Sequence, residues 1–288
     1  PYLILDEYVL SNDDTQLDFN ETASFDLSFK NVGKDPSSNA TVTLVSESEY
    51  ITVTSPTITF DGLDADETVN IEDAFEIYVS DSVPNNTNNH LFVNIESDGE
   101  TYQSHINIKA YAPKFKIDNL TITEIEGNGN GFLDPAEQAT LTFTIENIGN
   151  SKSNEIFTYL EMHDSFLQIL SDEASIEFLE AGESATVSYD IYVGPGTPIG
   201  FISEFTLNCE SGYYNETKTF STKVGLIIES FETGDLSQFD WDNTSAIPWS
   251  IINTDAYDGN YCIKSGTIGD SQSTEISLQY EAGSNDTI

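Results

Sequence analysis

The chain has 288 residues, 38% of them hydrophobic and including 17 Phe and 14 Tyr, which suffices for two or three modules with real cores and excludes a disordered chain. Only 9 basic residues oppose 50 acidic ones, and the formal net charge of −41 excludes binding to the phosphate backbones of nucleic acids. The same charge opposes contact with anionic membranes, and the sequence has no apolar segment for membrane insertion.

The first predicted elements are short antiparallel strands. Apolar residues alternate with polar ones at Phe25, Leu27 and Phe29, which predicts a half-buried strand that ends at the turn residues Asn31-Val32-Gly33. Further strands are predicted at Ile58–Phe60, Phe75–Val79, Leu91–Ile95 and His105–Ile108, with a turn at Ser97–Glu100 between the last two. Six or seven strands without a helix predict an immunoglobulin-like β-sandwich of roughly 110 residues.

The pattern then repeats. Asp18–Asn39 aligns with Asp134–Glu155 at an offset of 116 positions, so that Asn31-Val32-Gly33 matches Asn147-Ile148-Gly149. Further along the chain the offset falls to 114, and we expect the two missing residues to have been lost from a loop. The duplication predicts two copies of one module.

The two copies define the first two predicted domains. Residues 1–112 and 113–225 are expected to be tandem immunoglobulin-like sandwiches, joined by the short, stiff linker Ala110–Pro113. Their pattern of a strand, Asn-Val/Ile-Gly and a later Leu-x-Ala-Gly-Glu-like turn resembles the immunoglobulin-like repeats of large bacterial surface proteins and of regions beside secreted hydrolases. The resemblance implies a spacer or adhesive module without chemistry of its own.

A calcium-type loop precedes the first paired strand of the second copy. Oxygen-bearing side chains recur at the spacing of a twelve-residue calcium loop, and the carbonyl of Phe132 is a further candidate ligand. The side chains are Glu126, Asn128, Asn130, Asp134 and Glu137. Flanking strands exclude an EF-hand domain, and an Asn-Gly-rich turn with incidental acids is the alternative. The strong negative charge favours divalent cations, although it also serves solubility.

The first copy keeps only part of this loop. Asn12, Asp14, Asp18 and Glu21 are retained at the same offset, but Leu10 and Thr15 replace a ligand and a glycine. We interpret it as a decayed site.

The cysteines fall in different modules, so a disulfide is not expected between Cys209 and Cys262. Cys209 matches Ile95 of the first copy, which predicts a buried strand residue with a free thiol.

The sequence changes character at Gly225, and residues 226–288 contain both tryptophans. This segment resembles the cleaved-adhesin jelly-roll module of gingipain-type and related Bacteroidetes surface proteins. The resemblance rests on Phe231-Glu232-x-Gly234-x-Leu236, Trp249, Ala256–Gly259, Lys264–Gly266, Ile268–Asp270 and Ser273–Leu278. The family module is longer than this segment, so the resemblance implies an incomplete jelly roll.

Two candidate sites come with this third domain. The family often holds a calcium ion near its first strand, for which Glu232 and Asp258 are the candidate ligands here, with ordinary turn acids as the alternative. Trp241 and Tyr257, together with Trp249 and Tyr261, are candidates for a platform on which a sugar ring stacks. The alternative is that the indoles are core residues.

No set of catalytic residues emerges from the sequence. His90, His105 and His163 show no zinc spacing, and neither a phosphate loop nor a Gly-x-Ser-x-Gly elbow is present. We therefore predict no enzyme activity. The chain begins at Pro1 without a leader, so we expect a piece of a longer protein, and secretion to the cell surface is inferred from the module type.

Three functions follow as hypotheses. The first is a calcium-stabilised adhesion or spacer region of a secreted bacterial surface protein, with an extracellular protein or glycan as its partner. The second is an accessory region of a secreted gingipain-like peptidase or other hydrolase. The third is a carbohydrate-binding module. The oligomeric state is not readable from the sequence.

Overall fold

The computed structural model of the chain describes residues 1–12, 16–127, 129–171, 173–225 and 229–279. Strands and turns make up all the secondary structure in these ranges, so the prediction of an all-β chain built from β-sandwiches is confirmed. They contain no helix that is long and apolar enough to cross a lipid bilayer. The chain divides into two units, residues 1–225 and 226–288.

The first part of the larger unit is a two-layered sandwich. Its strands are β1 (Leu3–Ser11), β2 (Leu17–Asp18), β3 (Thr22–Asn31), β4 (Ala40–Ser46), β5 (Ile51–Val53), β6 (Thr57–Phe60), β7 (Thr68–Val79), β8 (Thr87–Ser97) and β9 (Glu100–Tyr111). One layer has the order β1-β3-β7-β5 and the other β2-β9-β8-β4-β6. This is the division of an immunoglobulin-type sandwich, with the short β2 lying parallel to β9.

Alternation along the strands builds the core of this sandwich. Phe25, Leu27 and Phe29 are all buried, as their spacing predicted, and the ring of Phe29 stacks on Phe60 with 5.2 Å between centroids. The hairpin between β8 and β9 turns at Asp98 and Gly99, which have φ values of 54° and 79°. Two positive φ values are what a tight hairpin with right-handed strand twist requires.

The second sandwich follows in the same unit. Its strands are β10 (Phe115–Glu126), β11 (Gln138–Asn147), β12 (Ile156–Met162), β13 (Leu167–Ile169), β14 (Glu173–Ile176), β15 (Ser184–Val193), β16 (Ile202–Ser211) and β17 (Tyr214–Lys223). The layers are β10-β11-β15-β13 and β14-β12-β16-β17. Cys209 is fully buried on β16 and both cysteines are free, as predicted.

The two sandwiches have the same order of their main strands, and equivalent residues pair over much of their length. The pair Phe29–Val69 in β3 and β7 corresponds to Ile145–Ala185 in β11 and β15, at the offset of 116. After β4 the chain crosses to the opposite layer, where β5 pairs with β7, and it then returns so that β6 pairs with β4. The second copy follows the same path, with β13 pairing with β15 and β14 pairing with β12. The parallel β2 has its counterpart in an isolated bridge between Leu133 and Val224. The sequence duplication is therefore a duplication of topology.

The change of offset lies in a strand, which corrects the expectation of a loop. Leu27 pairs with Ile71 and Phe25 pairs with Phe75, so β7 carries two extra residues at this point, whereas the pairing of β11 with β15 is uninterrupted. Asp73 lies in this bulge with φ 46°, and its amide donates to the carboxylate of Asp26 at 2.8 Å. A bulge can absorb extra residues because the surplus backbone is satisfied locally and points to solvent.

A buried asparagine ends the same strand in both copies. The side chains of Asn31 and Asn147 are fully inaccessible to solvent. Asn147 Oδ1 accepts the amides of Lys114 (3.2 Å) and Gly149 (3.0 Å), and Nδ2 donates to the carbonyls of Ser151 (2.8 Å) and Leu179 (3.0 Å). Asn31 makes the equivalent four bonds to Tyr2, Gly33, Asp35 and Leu63. Each asparagine thus joins three segments of its sandwich.

The glycine two residues later allows the first segment of each sandwich to pass. A Cβ on Gly149 would lie 2.4 Å from both the carbonyl oxygen of Ala112 and the amide nitrogen of Lys114. A Cβ on Gly33 would lie 2.5 Å from the amide nitrogen of Tyr2. The Asn-Val/Ile-Gly motif therefore combines a hydrogen-bonding hub with a close backbone approach.

An ion-pair cluster ties the two layers of the second sandwich. Lys218 Nζ on β17 lies 2.8 Å from the carboxylate of Asp118 on β10, and Lys116 Nζ lies 2.6 Å from it. Hydrogen bonds from Lys116 and then Lys218 lower the pKa of Asp118 from 3.8 to about 2. All three side chains are partly exposed, so solvent screens the pairs.

This cluster predicts a defined acid dependence. Because the folded pKa of Asp118 is lowered, its ion pairs stabilise the fold above the unfolded pKa and lose this effect as the pH falls through about 2. Thermal unfolding should show wild type more stable than Asp118→Asn by a constant margin near neutral pH, and the margin should shrink progressively below roughly pH 4. A margin independent of pH would contradict the assignment.

The second unit is described over residues 229–279. It contains β18 (Trp241–Asp242) paired with β21 (Ser277–Leu278), and β19 (Ser250–Ile252) paired with β20 (Cys262–Lys264). All four strands are antiparallel and only two or three residues long. Within the described part of this unit, turns and bends connect these two small sheets.

Candidate functional site

The predicted calcium-type loop connects β10 to β11. Glu126 is the last residue of β10, pairs with Gln138 and has an exposed side chain. A β-bulge between Glu124 and Glu126 shifts the register at this end of the strand. Asn128 lies outside the described residues. The bulge matters because it changes the direction of the side chains that enter the loop.

Glu124, which the spacing template did not include, contacts the loop through its carboxylate. Its Oε2 accepts the amide of Gly129 at 2.7 Å and its Oε1 accepts the amide of Gly131. Both glycines have φ close to 80°, a conformation that costs other residues free energy. The template starts two residues later, so only the geometry of the bulge reveals this contact.

A second carboxylate faces the same space. Glu137 is buried, with 8% of its surface exposed, and its Oε2 accepts the amide of Asp134 at 3.1 Å. A Cβ placed on Gly127 would lie 2.4 Å from Glu124 Oε2 and 2.8 Å from Glu137 Oε1. Two carboxylates therefore converge beside a glycine, and a hard cation would relieve their mutual repulsion.

The remaining candidate ligands form hydrogen bonds within the loop. Asn130 Nδ2 donates to Asp134 Oδ2 at 2.6 Å, and Asn130 Oδ1 accepts the amide of Phe132 at 2.7 Å. The side chain of Phe132 is 45% exposed. In the part of the chain with described coordinates, no three His, Cys, Asp or Glu side chains are placed to hold a metal ion. A cation in this loop would therefore need amide and carbonyl oxygens besides carboxylates.

The equivalent loop of the first copy has different contacts. Glu21 accepts the amide of Asp18 at 2.6 Å and the side-chain amide of Asn12 at 3.0 Å. The carboxylate of Asp18 accepts hydrogen bonds from Gln16 and from Ser151 of the second sandwich. Asp14 and Thr15 lie outside the described residues. Both copies therefore keep the bond in which the glutamate accepts the amide of the aspartate three residues earlier. In the first copy, the carboxylate of Asp18 also forms a contact with the second sandwich.

Glu232 binds backbone amides in the second unit. Its carboxylate accepts the amides of Asn260 and Tyr261 at 2.9 Å and lies against Gly259. The hydrogen bonds from Tyr261 and then Asn260 lower its pKa. The structure thus brings Glu232 to the turn that follows Asp258, whose own carboxylate accepts the amide of Gly259. This arrangement explains the turn without an ion, and the two residues remain predicted calcium ligands.

The candidate sugar-stacking residues differ in their surroundings. The indole of Trp241 packs on Phe231 at 6.2 Å between centroids and donates to Glu229 at 3.0 Å. Tyr257 is fully exposed. The indole nitrogen of Trp249 is buried, and no described residue accepts a hydrogen bond from it. Trp241 is therefore held as a packed side chain, while the ring of Tyr257 is open to solvent.

The fold and these sites define a β-sandwich protein. No protein-family model and no curated protein matches the chain. Among solved structures, it is similar to red sea bream transglutaminase (12% identity, TM-score 0.30), covering 76% of this chain and 31% of that one. The chain thus spans less than a third of that enzyme's length.

Two further solved structures are similar to parts of this chain. PapD-like domain 7 of human CEP192 has 16% identity and a TM-score of 0.26, with 41% of this chain and 87% of that domain covered. A protein of unknown function from Porphyromonas gingivalis W83 has 13% identity and a TM-score of 0.24, with 76% and 99% covered. At these TM-scores the similarities carry no functional argument.

Proposed function

We propose that the chain is a non-catalytic adhesion or spacer region of a secreted bacterial cell-surface protein, stabilised by calcium. The observation that carries this proposal is the repetition of one sandwich, with the same order of the main strands, equivalent strand pairs and the same buried asparagine. Repetition of a structural module extends or multiplies a surface without adding chemistry. The family resemblances of the two repeats and of residues 226–288 support the same function.

The environment of the buried thiol also supports a non-catalytic function. Burial, followed by the charges of Glu216 and Glu210, raises the pKa of Cys209 to about 12. A thiol must ionise to act as a nucleophile, so Cys209 would be inert at physiological pH. The partner in this proposal is an extracellular protein or a glycan. A direct test is to immobilise the chain and measure binding to host extracellular proteins and to a glycan array.

Two alternatives differ in what they predict. An accessory region of a gingipain-like peptidase or other hydrolase requires a catalytic domain in the parent protein, which the sequence upstream of Pro1 would show. A carbohydrate-binding module requires an open aromatic platform, and exposed Tyr257 is the observation that favours it. Loss of glycan binding in Tyr257→Ala, with Tyr213→Ala as an exposed control, would support the second alternative.

Calcium is expected to raise the melting temperature of the chain. A ligand that binds only the folded state at about 100 times its Kd adds about 2.7 kcal/mol of stability. Glu137→Ala should abolish the shift, because Glu137 is the buried carboxylate of the loop. Comparing Glu124→Gln with Glu126→Gln then tells which of these two glutamates is a ligand, and Glu124 is expected, since it accepts the amides of Gly129 and Gly131.

The acidity of the chain requires a control. Divalent cations collect around any surface of this charge, so Glu177→Ala, an exposed acid of the same sandwich, should retain the full shift. Identical melting curves in calcium and in chelator would contradict the calcium part of the proposal. They would leave the adhesion test unaffected.

A further inference from the structure

The two sandwiches meet at an interface that begins with the linker. Ala112 and Pro113 are buried, and the carbonyl of Ala112 accepts the amide of Asn150 at 3.2 Å. The linker passes directly over Gly149, where a Cβ would collide with its backbone. The end of the connection, from Ala112 to Lys114, is therefore packed against the second sandwich.

Polar side chains from three segments form hydrogen bonds across the interface. Ser151, which is 2% exposed, donates to Asp18 at 2.6 Å, and Gln16 donates to the carbonyl of Asn150 at 2.9 Å. Asn85, from the loop before β8, bonds Asn150 through its side-chain amide at 3.0 Å and accepts the amide of Ala112 at 3.1 Å. These contacts join segments that precede the linker in sequence to the linker and to the segment Asn150–Ser151 that follows it.

Tyr214 joins the hydrophobic cores of the two sandwiches. Its side chain packs against both clusters of buried residues, and its ring meets Phe19 edge-on at 5.2 Å between centroids. The hydroxyl donates to the carbonyl of Val83 at 2.9 Å. Burial, and then the charge of Asp81, raises the pKa of Tyr214, so the hydroxyl remains a donor at alkaline pH. An aromatic ring with a satisfied hydroxyl is a typical anchor of a specific interface.

The first sandwich does not carry the same surface. At the positions equivalent to Asn150, Ser151 and Tyr214 it has Lys34, Asp35 and Glu100, all exposed. The interface is therefore a specialisation of the second copy and not a property of the repeat. Charged side chains could not replace the buried Ser151 and the partly buried Tyr214 without being desolvated.

We infer that the two sandwiches form one stiff unit, in which Tyr214 and the Asp18–Ser151 contact fix their relative orientation. Successive domains with a small polar interface normally move relative to each other. Here three features oppose that motion together: the buried linker, the hydrogen bond between Ser151 and Asp18, and the packing of Tyr214 against both cores. The inference adds a mechanical role, constant spacing, that does not depend on which ligand the chain binds.

The test is a distance measurement between spin labels in the full chain. Thr59→Cys and Ser175→Cys place labels at equivalent exposed positions of the edge strands β6 and β14. Cys262→Ser removes the half-exposed thiol, while Cys209 is buried and will not react. Pulsed electron–electron double resonance should give one narrow distribution of the distance between the two labels in the otherwise wild-type chain. Tyr214→Ala combined with Ser151→Ala should broaden it, while circular dichroism shows that both sandwiches remain folded.

The matched control is Tyr213→Ala, because Tyr213 is the neighbouring residue and is 66% exposed. Its distance distribution should equal that of wild type. If the double variant unfolds, Ser151→Ala alone is the gentler variant and should show a smaller broadening. A broad distribution in wild type, or a narrow one that neither interface variant changes, would overturn the inference.

Discussion

Replacing Asn147 by alanine is expected to lower the free energy of unfolding by about 4 kcal/mol. The side chain makes four hydrogen bonds and is fully buried, so its loss leaves two amides and two carbonyls without this partner. Each buried polar group that loses its partner costs about 1–3 kcal/mol, and only partial relaxation of the loops offsets the loss. Denaturant unfolding monitored by fluorescence measures the change.

The duplication supplies an independent check of this prediction. Asn31→Ala removes the equivalent four bonds in the first sandwich and should cost a similar amount. Asn154→Ala is the surface control, because Asn154 is exposed in the same sandwich as Asn147, and it should change stability by less than about 0.5 kcal/mol. If Asn147→Ala behaved like Asn154→Ala, the hub would have no energetic importance.

Gly149→Ala is expected to destabilise the second sandwich by about 3 kcal/mol, at the upper end of the usual cost of overpacking. The added methyl would meet the carbonyl oxygen of Ala112 and the amide nitrogen of Lys114, which are backbone atoms that cannot rotate away. The linker would have to lift from the second sandwich. We therefore expect this variant to broaden the distance distribution between the sandwiches as well as to lower the unfolding midpoint.

Gly196→Ala is the matched control for that substitution. A Cβ at Gly196 meets nothing within 4 Å, and this glycine does not have a positive φ. Its replacement should leave stability unchanged or raise it by up to about 1 kcal/mol, because alanine restricts the unfolded chain. Equal losses in Gly149→Ala and Gly196→Ala would show that close approach of the linker is not the cause.

Much of the fold could be predicted because it depends on local alternation. Phe25, Leu27 and Phe29 point to one side of a strand by geometry alone, and the same alternation in Leu141, Phe143 and Ile145 revealed the second copy. The bulge at Asp73 could not be predicted, because an alignment gives the number of extra residues but not the backbone that holds them. The alignment shows the extra residues only as a gap, and gaps are most often found in loops.

The candidate sites were less predictable, since they depend on contacts between distant residues. Glu124 falls outside the spacing of the calcium-type loop, and only the bulge before Glu126 turns it toward the glycine amides. Tyr214 is aligned with the exposed Glu100, and nothing in its neighbourhood indicates that it reaches the other sandwich. A single sequence reports the pattern of one strand well and the meeting of two modules poorly.

The crossing of the chain between layers also affects how readily the edge strands of these sandwiches pair with neighbouring molecules. The strands added at each crossing, β5, β6, β13 and β14, have only three or four residues each and form sheet edges. Short edges offer few free amides and carbonyls to a neighbouring molecule, and the charge of −41 repels identical chains. These four edges are therefore poor templates for intermolecular sheets, which are the first step toward amyloid.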